Sequence, residues 1–281
     1  MTVSTDFSLR NWTANILPLF EARLLAQFAT ARPETLVEAC RYPLQTGGKR
    51  IRPLLTFGAA EAIGGSAEAA LDVAVAVELL HTYSLVHDDL PCMDNDDERR
   101  GRPTVHKVYG DGVAVLVGDA LLTEAFAVLA DSARAGALVR ELAAAGGAAG
   151  MIAGQAYDIG MDGPITDVAR LQLLHRAKTG ALIRGAVRLG AIAAGAGDTH
   201  LEQLTRYAEE VGLAFQVHDD VLDADQDNKP GGPPSFVKLL GLDGARAVAR
   251  GHMQAALDAL VGLPRPEPLA AIAVYTVERS V

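Results

Sequence analysis

The sequence is short of cysteine, aromatic side chains, strand patterns and net positive charge, and each shortage excludes something. Cys40 and Cys92 are its 2 cysteines and no CxxC spacing joins them, so neither a disulfide framework nor a zinc site is encoded. Aromatics make up 5% of the chain while Ala, Leu and Gly dominate, which describes a helix-rich core of small side chains. No alternating Val/Ile/Tyr run lies between hairpin turns, so no sheet is expected. The formal net charge of −10 argues against a general nucleic-acid binder and against a basic membrane-surface helix. It leaves anionic substrates open, because a local Arg/Lys cluster or a bound metal reverses the sign of a cleft. The N-terminus lacks the basic start, apolar core and small-residue cleavage site of a signal peptide. The most apolar stretch, Ala181 to Gly197, is interrupted by Arg184 and Arg188, short of the ~20 apolar residues a spanning helix needs. A soluble cytoplasmic protein without membrane insertion is the expectation.

What the chain does have is a near-repeat: Val86-His87-Asp88-Asp89-Leu90 and Val217-His218-Asp219-Asp220-Val221, each with a further acid downstream, Asp94 and Asp223. Paired carboxylates in apolar surroundings are costly unless compensated. If the segments face one another, repulsion raises their pKa values unless cations fill the gap. All-oxygen ligands point to a hard divalent cation, foremost Mg²⁺, which keeps a few carboxylates, waters and substrate phosphates. Asp219 and Asp223 stand one helical turn apart and share a face. A solvated polar face explains one Asp-rich turn but not two set among Phe215, Val217, Val221 and Leu222.

Helical periodicity covers most of the sequence, with segments at 12–30, 33–43, 51–63, 67–90, 111–131, 135–157, 167–195, 199–225, 235–241 and 243–260. Thr166 or Asp167 is the expected cap of a helix over 168–195, and Asp198 or Thr199 of a helix over 200–225. Gly/Pro clusters at 46–53, 91–103, 160–164 and 230–234 punctuate helices without a change of composition between them. The reading is one all-α domain over residues 1–281, a bundle of roughly ten helices around a central cavity.

Basic residues gather near the acids. Arg99, Arg100 and Arg102 follow the loop acids Asp94, Asp96 and Asp97, where a surface ion-pair network and a grip on phosphate oxygens are the two readings. Gly47-Gly48-Lys49-Arg50-Ile51-Arg52-Pro53 is a basic, Gly-led turn opening a helix, suited to anions but without phosphate-loop spacing. Lys178-Thr179 lies inside an apolar helix. Glu78 and His81 match one ExxH element of di-iron bundles, but no second copy follows. GxSxG is absent and neither cysteine has a convincing base partner, so nucleophilic-hydrolase readings fail.

From about Tyr42 to Arg246 these motifs, in order, resemble the trans-isoprenyl diphosphate synthases (polyprenyl synthetases), within them the bacterial farnesyl diphosphate synthase-like branch. The carriers are GGKRIRP (47–53), DDLPCMD (88–94), RRGRPT (99–104), GQAYD (154–158), HRAKTGALIRGAV (175–187), FQVHDDVLD (215–223) and SFVKLLGLDGAR (235–246). The resemblance implies the isoprenoid synthase-type helical bundle, usually a homodimer, and condensation of isopentenyl diphosphate with an allylic diphosphate. It implies that Asp88, Asp94 and Asp219 hold three Mg²⁺ ions (Mn²⁺ being the alternative metal), supported by Asp89, Asp220 and Asp223. It assigns the allylic diphosphate to Arg99 and Lys178, and isopentenyl diphosphate to Lys49, Arg52, His81 and Arg100. Thr179 and Gln216 fall along the reacting carbons. Tyr83 and Ser84, five and four residues before Asp88, lie one turn deeper, and a large Tyr83 resembles the floor of farnesyl-forming enzymes. A C15 product is therefore expected, with C20 second and C10 third. A terpene cyclase is disfavoured by the second Asp motif and by Lys49 and Arg52; a catalytically silent subunit of another synthase is disfavoured by both intact Asp motifs. One departure stands out: the diphosphate-binding Lys expected before Ser235 aligns with Pro233, leaving Lys229 as the candidate substitute.

Overall fold

The computed structural model describes residues 7–224 and 235–279. In chain order the helices are α1 (Leu9–Leu25), α2 (Glu34–Leu44), α3 (Ile51–Ala62), α4 (Ala67–Asp88), α5 (Val105–Tyr109), α6 (Asp111–Ala127), α7 (Ala135–Gly146), α8 (Met151–Asp158), α9 (Val168–His175), α10 (Ala181–Ala193), α11 (Asp198–Leu222), α12 (Phe236–Ala259) and α13 (Glu267–Glu278). The all-α expectation holds: the one sheet among the described residues is a pair of two-residue strands, β1 (Glu98–Arg99) and β2 (Arg102–Pro103).

Helix α4 is the centre. It buries side chains on every face from Ala70 to Val86 and packs on α3, α6 and α10, as an all-round apolar helix must. This corrects the reading that 181–197 is the most apolar stretch. Helix α4, with a mean hydropathy of 1.5, is long and apolar enough to cross a membrane, but 67% of that window is buried inside the fold. It is a core helix. Around it, α10 packs on α3, α7 and α11, and α11 packs along α12 and against α13. Ser66 caps α4 and Asp167 caps α9, each side-chain oxygen accepting a first-turn backbone N–H. Helix α11 begins instead behind Gly197, with no side-chain cap, so neither Asp198 nor Thr199 has the capping role expected of it.

Three boundaries differ in ways that matter for the site. The segment expected as one helix over 135–157 breaks between Gly147 and Gly150 into α7 and α8. The segment over 167–195 carries a π turn at Arg176–Gly180 between α9 and α10; such turns are frequent at functional sites. Past residue 260 lies α13, which no reading of the sequence supplied. The two helices expected on either side of residue 242 do meet at a kink, at Gly241 (φ 72°, ψ 166°) within α12.

Candidate active site

Two cavities share Arg52 and His81 as a common wall. One, of about 670 Å³, is lined mainly by apolar side chains of α4, α6 and α8, with Asp88, Lys178 and Thr179 at its polar end. The other, of about 1220 Å³, is lined by Lys49, Arg52, Arg100, Asp219, Asp223 and Arg279 among others.

The first acidic group is made by a loop folding back on the end of α4. The Asp94 N–H donates to the Asp88 carbonyl at 2.9 Å, and Asn95, at φ 54°, donates to the Leu90 carbonyl at 3.1 Å. Asp94 is thereby returned to the side of Asp88. Burial, reinforced by Asp94 and opposed by Lys178, pushes the Asp88 carboxyl up to about 6. Asp89 is engaged differently: it is buried and held by the Arg99 fork at 2.6 and 2.7 Å. Arg99 in turn sits on a hairpin whose turn residues Arg100 and Gly101 both have positive φ, 55° and 72°, the conformation a two-residue type I′ turn demands.

The second acidic group is the last turn of α11. Asp219 and Asp223 share a face as their spacing predicts, and both line the larger cavity. Burial raises the Asp219 carboxyl, opposed by Arg279 and Lys49; the Arg279 guanidinium donates to it and lies 4.6 Å over the Phe215 ring. Asp220 points into the fold, where its carboxylate accepts the Phe236 N–H at 2.7 Å and lies 3.8 Å from the His175 ring.

The basic residues converge on the larger cavity. Arg52 Nη1 lies 3.2 Å from His81 Nε2, while its buried Nε has no partner. Burial draws Arg52 down to about 10 and, with Arg52 and Arg100 nearby, holds His81 well below its ordinary value. The ring is therefore neutral at pH 7. The Arg100 guanidinium donates to the Gly47 carbonyl. On the other side Lys178, on the π turn, pairs with Asp158 at 2.5 Å. Gln216 is bonded to the His175 ring at 3.2 Å, next to the start of that turn. Tyr83 is buried, lines the apolar cavity and meets the His87 ring edge-on at 5.7 Å; the Ser84 hydroxyl donates to the His81 carbonyl. Lys229 and Pro233 lie outside the described residues.

Residues 33–235 match the family model of polyprenyl synthetases. The chain belongs to the polyprenyl synthetase family. Over 270 residues it is 43% identical to the large subunit 1 of the heterodimeric geranylgeranyl pyrophosphate synthase of Arabidopsis thaliana, covering 88% of this chain and 73% of that one. Over 242 residues it is 42% identical to the farnesyl diphosphate synthase of Geobacillus stearothermophilus, covering 80% and 81%. A crystal structure of an FPP/GFPP synthase from Zymomonas mobilis superposes with a TM-score of 0.88 at 39% identity, over 96% of this chain and 99% of that one. This polyprenyl synthetase is a prenyltransferase, a trans-isoprenyl diphosphate synthase with the isoprenoid synthase helical fold, and its family uses isoprenyl diphosphate substrates and a divalent metal.

The acids fit such a metal. Among the described residues no three acidic, His or Cys side chains already converge into a cage. Asp88 with Asp94, and Asp219 with Asp223, instead form two open oxygen pairs, in each of which burial and the neighbouring acid both raise the inner carboxyl. Mg²⁺ suits that arrangement, since it takes one or two carboxylates and completes its shell with water and substrate phosphate.

Two residues of this polyprenyl synthetase's site were missed at the level of sequence. Asp158 belongs to the GQAYD motif (154–158), but its pairing with Lys178 depends on how α8 packs against the π turn. Arg279 is brought in by α13; the Pro-led run PEPLAAIAVYTV, with Leu269, Ile272, Ala273 and Thr276 at helical spacing, was the available signal.

Proposed function

We propose that the protein catalyses the Mg²⁺-dependent head-to-tail condensation of isopentenyl diphosphate with dimethylallyl and then geranyl diphosphate, ending at farnesyl diphosphate (C15) and releasing pyrophosphate. The observation that carries this reading is the junction at Arg52 and His81 of a cleft lined by Lys49, Arg52, Arg100, Asp219 and Asp223 with an apolar cavity that Tyr83 helps to line. Asp88, Asp94 and Asp219, with Asp223 beside the last, are the residues that would hold the metal; Asp89 and Asp220 fix Arg99 and the start of α12. Bound there, Mg²⁺ supplies positive charge to the leaving diphosphate.

The chain's own groups account for the remainder. Lys178 and Arg99 hold the allylic diphosphate as its ester oxygen gains charge. Lys49, Arg52 and Arg100 hold the second diphosphate, with neutral His81 orienting Arg52. The allylic C1–O bond breaks, C1 bonds to the terminal carbon of isopentenyl diphosphate, and the proton lost from that substrate passes to the departing pyrophosphate. Thr179 and Gln216 flank the reacting carbons, and the apolar walls keep water from the allylic cation. Assembly as a homodimer in the cytoplasm belongs to the same proposal.

Relatives named for C20 and for C15 products are equally similar, at 43% and 42%, so the choice of C15 rests on Tyr83. The deciding experiment supplies purified protein with Mg²⁺, labelled isopentenyl diphosphate and, separately, C5, C10 or C15 allylic primers. Accumulation of C15 from the first two with little extension of the third is expected. Extension of the C15 primer to C20 overturns the chain length and keeps the chemistry. No incorporation by folded protein overturns both, in favour of a silent subunit.

A further inference from the structure

Arg50 stands between two cations assigned to the second diphosphate, yet its own donors are committed elsewhere. Nε and Nη2 reach the two Glu21 oxygens at 2.7 and 3.2 Å, Nη1 reaches Glu78 at 2.6 Å, and Nη2 also reaches the Leu44 carbonyl at 2.7 Å. The side chain is 3% exposed. Its neighbours are the opposite case. Lys49 has no hydrogen bond or ion pair with a described residue, and the buried Nε of Arg52 has no partner. One turn thus carries two cations with donors to spare and one with almost none.

The backbone at Arg50 is left-handed (φ 49°, ψ 33°), directly before α3. A residue with a Cβ disfavours this region, so something must hold it there, and the bonds from Glu21 of α1 and Glu78 of α4 do. Reversal of the chain at Arg50 decides where Lys49, on the loop, and Arg52, on the first turn of α3, are aimed. Glu78 also lies one turn before His81, the ring that Arg52 meets. A buried ion pair stabilises a fold poorly compared with apolar packing. The triad is better explained by what it orients.

We infer that Arg50 is a positioning residue for the isopentenyl diphosphate subsite, and that Glu21 of the N-terminal helix belongs to that subsite through it. This rests on the assignment of Lys49 and Arg52 to the second diphosphate under the proposed function.

The test uses Glu21→Gln, which alters the solvent-side leg (side chain 37% exposed) and leaves the buried Arg50–Glu78 pair intact. Asp72→Asn is the control, because the Arg23–Asp72 pair at 2.7 Å joins the same two helices without touching Arg50. KM for isopentenyl diphosphate, KM for the allylic diphosphate, kcat and the thermal midpoint are measured for each variant. Glu21→Gln is expected to raise the first KM about tenfold, the low end of what loss of an outer partner costs at a metal site, with the allylic KM and kcat unchanged. Asp72→Asn leaves both KM values alone. Arg50→Lys acts in the same direction and more strongly, since an ammonium cannot hold three partners in the guanidinium's planar geometry. Equal rises in both KM values, or a lowered midpoint with neither KM changed, reduce the triad to a brace and overturn the inference. Calorimetric titration with isopentenyl diphosphate gives the same contrast without turnover. A wild type that binds it tightly but transfers nothing overturns the transferase reading alone; equal binding by wild type and Glu21→Gln overturns the inference alone.

Discussion

Cys40 is packed in the core, where burial and the nearby Glu124 push its thiol up to about 11, whereas Cys92 is exposed at the rim of the apolar cavity. Because the thiolate is the reacting species, a disulfide reagent at pH 8 is expected to titrate one thiol per native chain and two in denaturant. Reaction of both thiols in the native protein would show that the core around α2 opens readily. Tyr83 offers a second residue-scale outcome. Its ring lies in the cavity wall against His87, so Tyr83→Ala deepens the cavity more than it damages the core. Products longer than those of the wild type are expected, at about 2 kcal/mol of stability, the low end for a large-to-small change. Chromatography of the products and a urea melt measure the two effects. The acids were legible at this scale because carboxylates inside apolar runs are conspicuous in any sequence. Their division of labour was not. Asp219 and Asp220 are adjacent and alike in sequence, and only packing turns one to the cleft and the other to the Phe236 N–H.

At the scale of elements, the contact between α8 and the π turn is the most demanding in the site. A Cβ on Gly154 would stand 2.0 Å from the Lys178 backbone nitrogen and 2.2 Å from its Cα. Backbone cannot yield as a flexible side chain can. Gly154→Ala normally favours a helix by about 1 kcal/mol; here overpacking reverses the sign, with a loss of about 1–3 kcal/mol. Displacement of Lys178 from Asp158 should also lower kcat at least about a hundredfold, as misplacement of a substrate-holding group does. A melt combined with steady-state kinetics checks both, and a raised midpoint with full activity would refute the account. This contact also shows why elements were read well and their joints were not. Periodicity locates α10 and α11 because each buries a continuous apolar stripe, whereas α4, apolar on every face, is marked by the length of its apolar run. The π turn leaves that stripe nearly in phase, and the α7–α8 break falls among Gly and Ala residues whose pattern suits either state.

For the molecule as a whole, the acids and the bases of the site suit opposite parts of one ligand, a metal-bound diphosphate. Metal alone meets Lys49, Lys178, Arg52, Arg99 and Arg100; diphosphate alone meets Asp88, Asp94, Asp219 and Asp223. Each is half-compensated, so pyrophosphate with Mg²⁺ should raise the thermal midpoint well beyond the sum of either alone. At a ligand concentration of about a hundred times Kd, linkage gives about 2.7 kcal/mol, which in a chain of this size corresponds to about 4–5 °C. Chelation of the metal should return the midpoint to its starting value. Asp88→Asn separates the two contributions. With burial pushing Asp88 up to about 6, its ionised form is the costly one in the metal-free protein at pH 7.5. The neutral amide removes that cost, so the free variant should melt no lower than wild type while losing most of the gain from Mg²⁺ and pyrophosphate. A variant that melts lower when free and still gains the full shift would mean that Asp88 serves the fold and not the ligand.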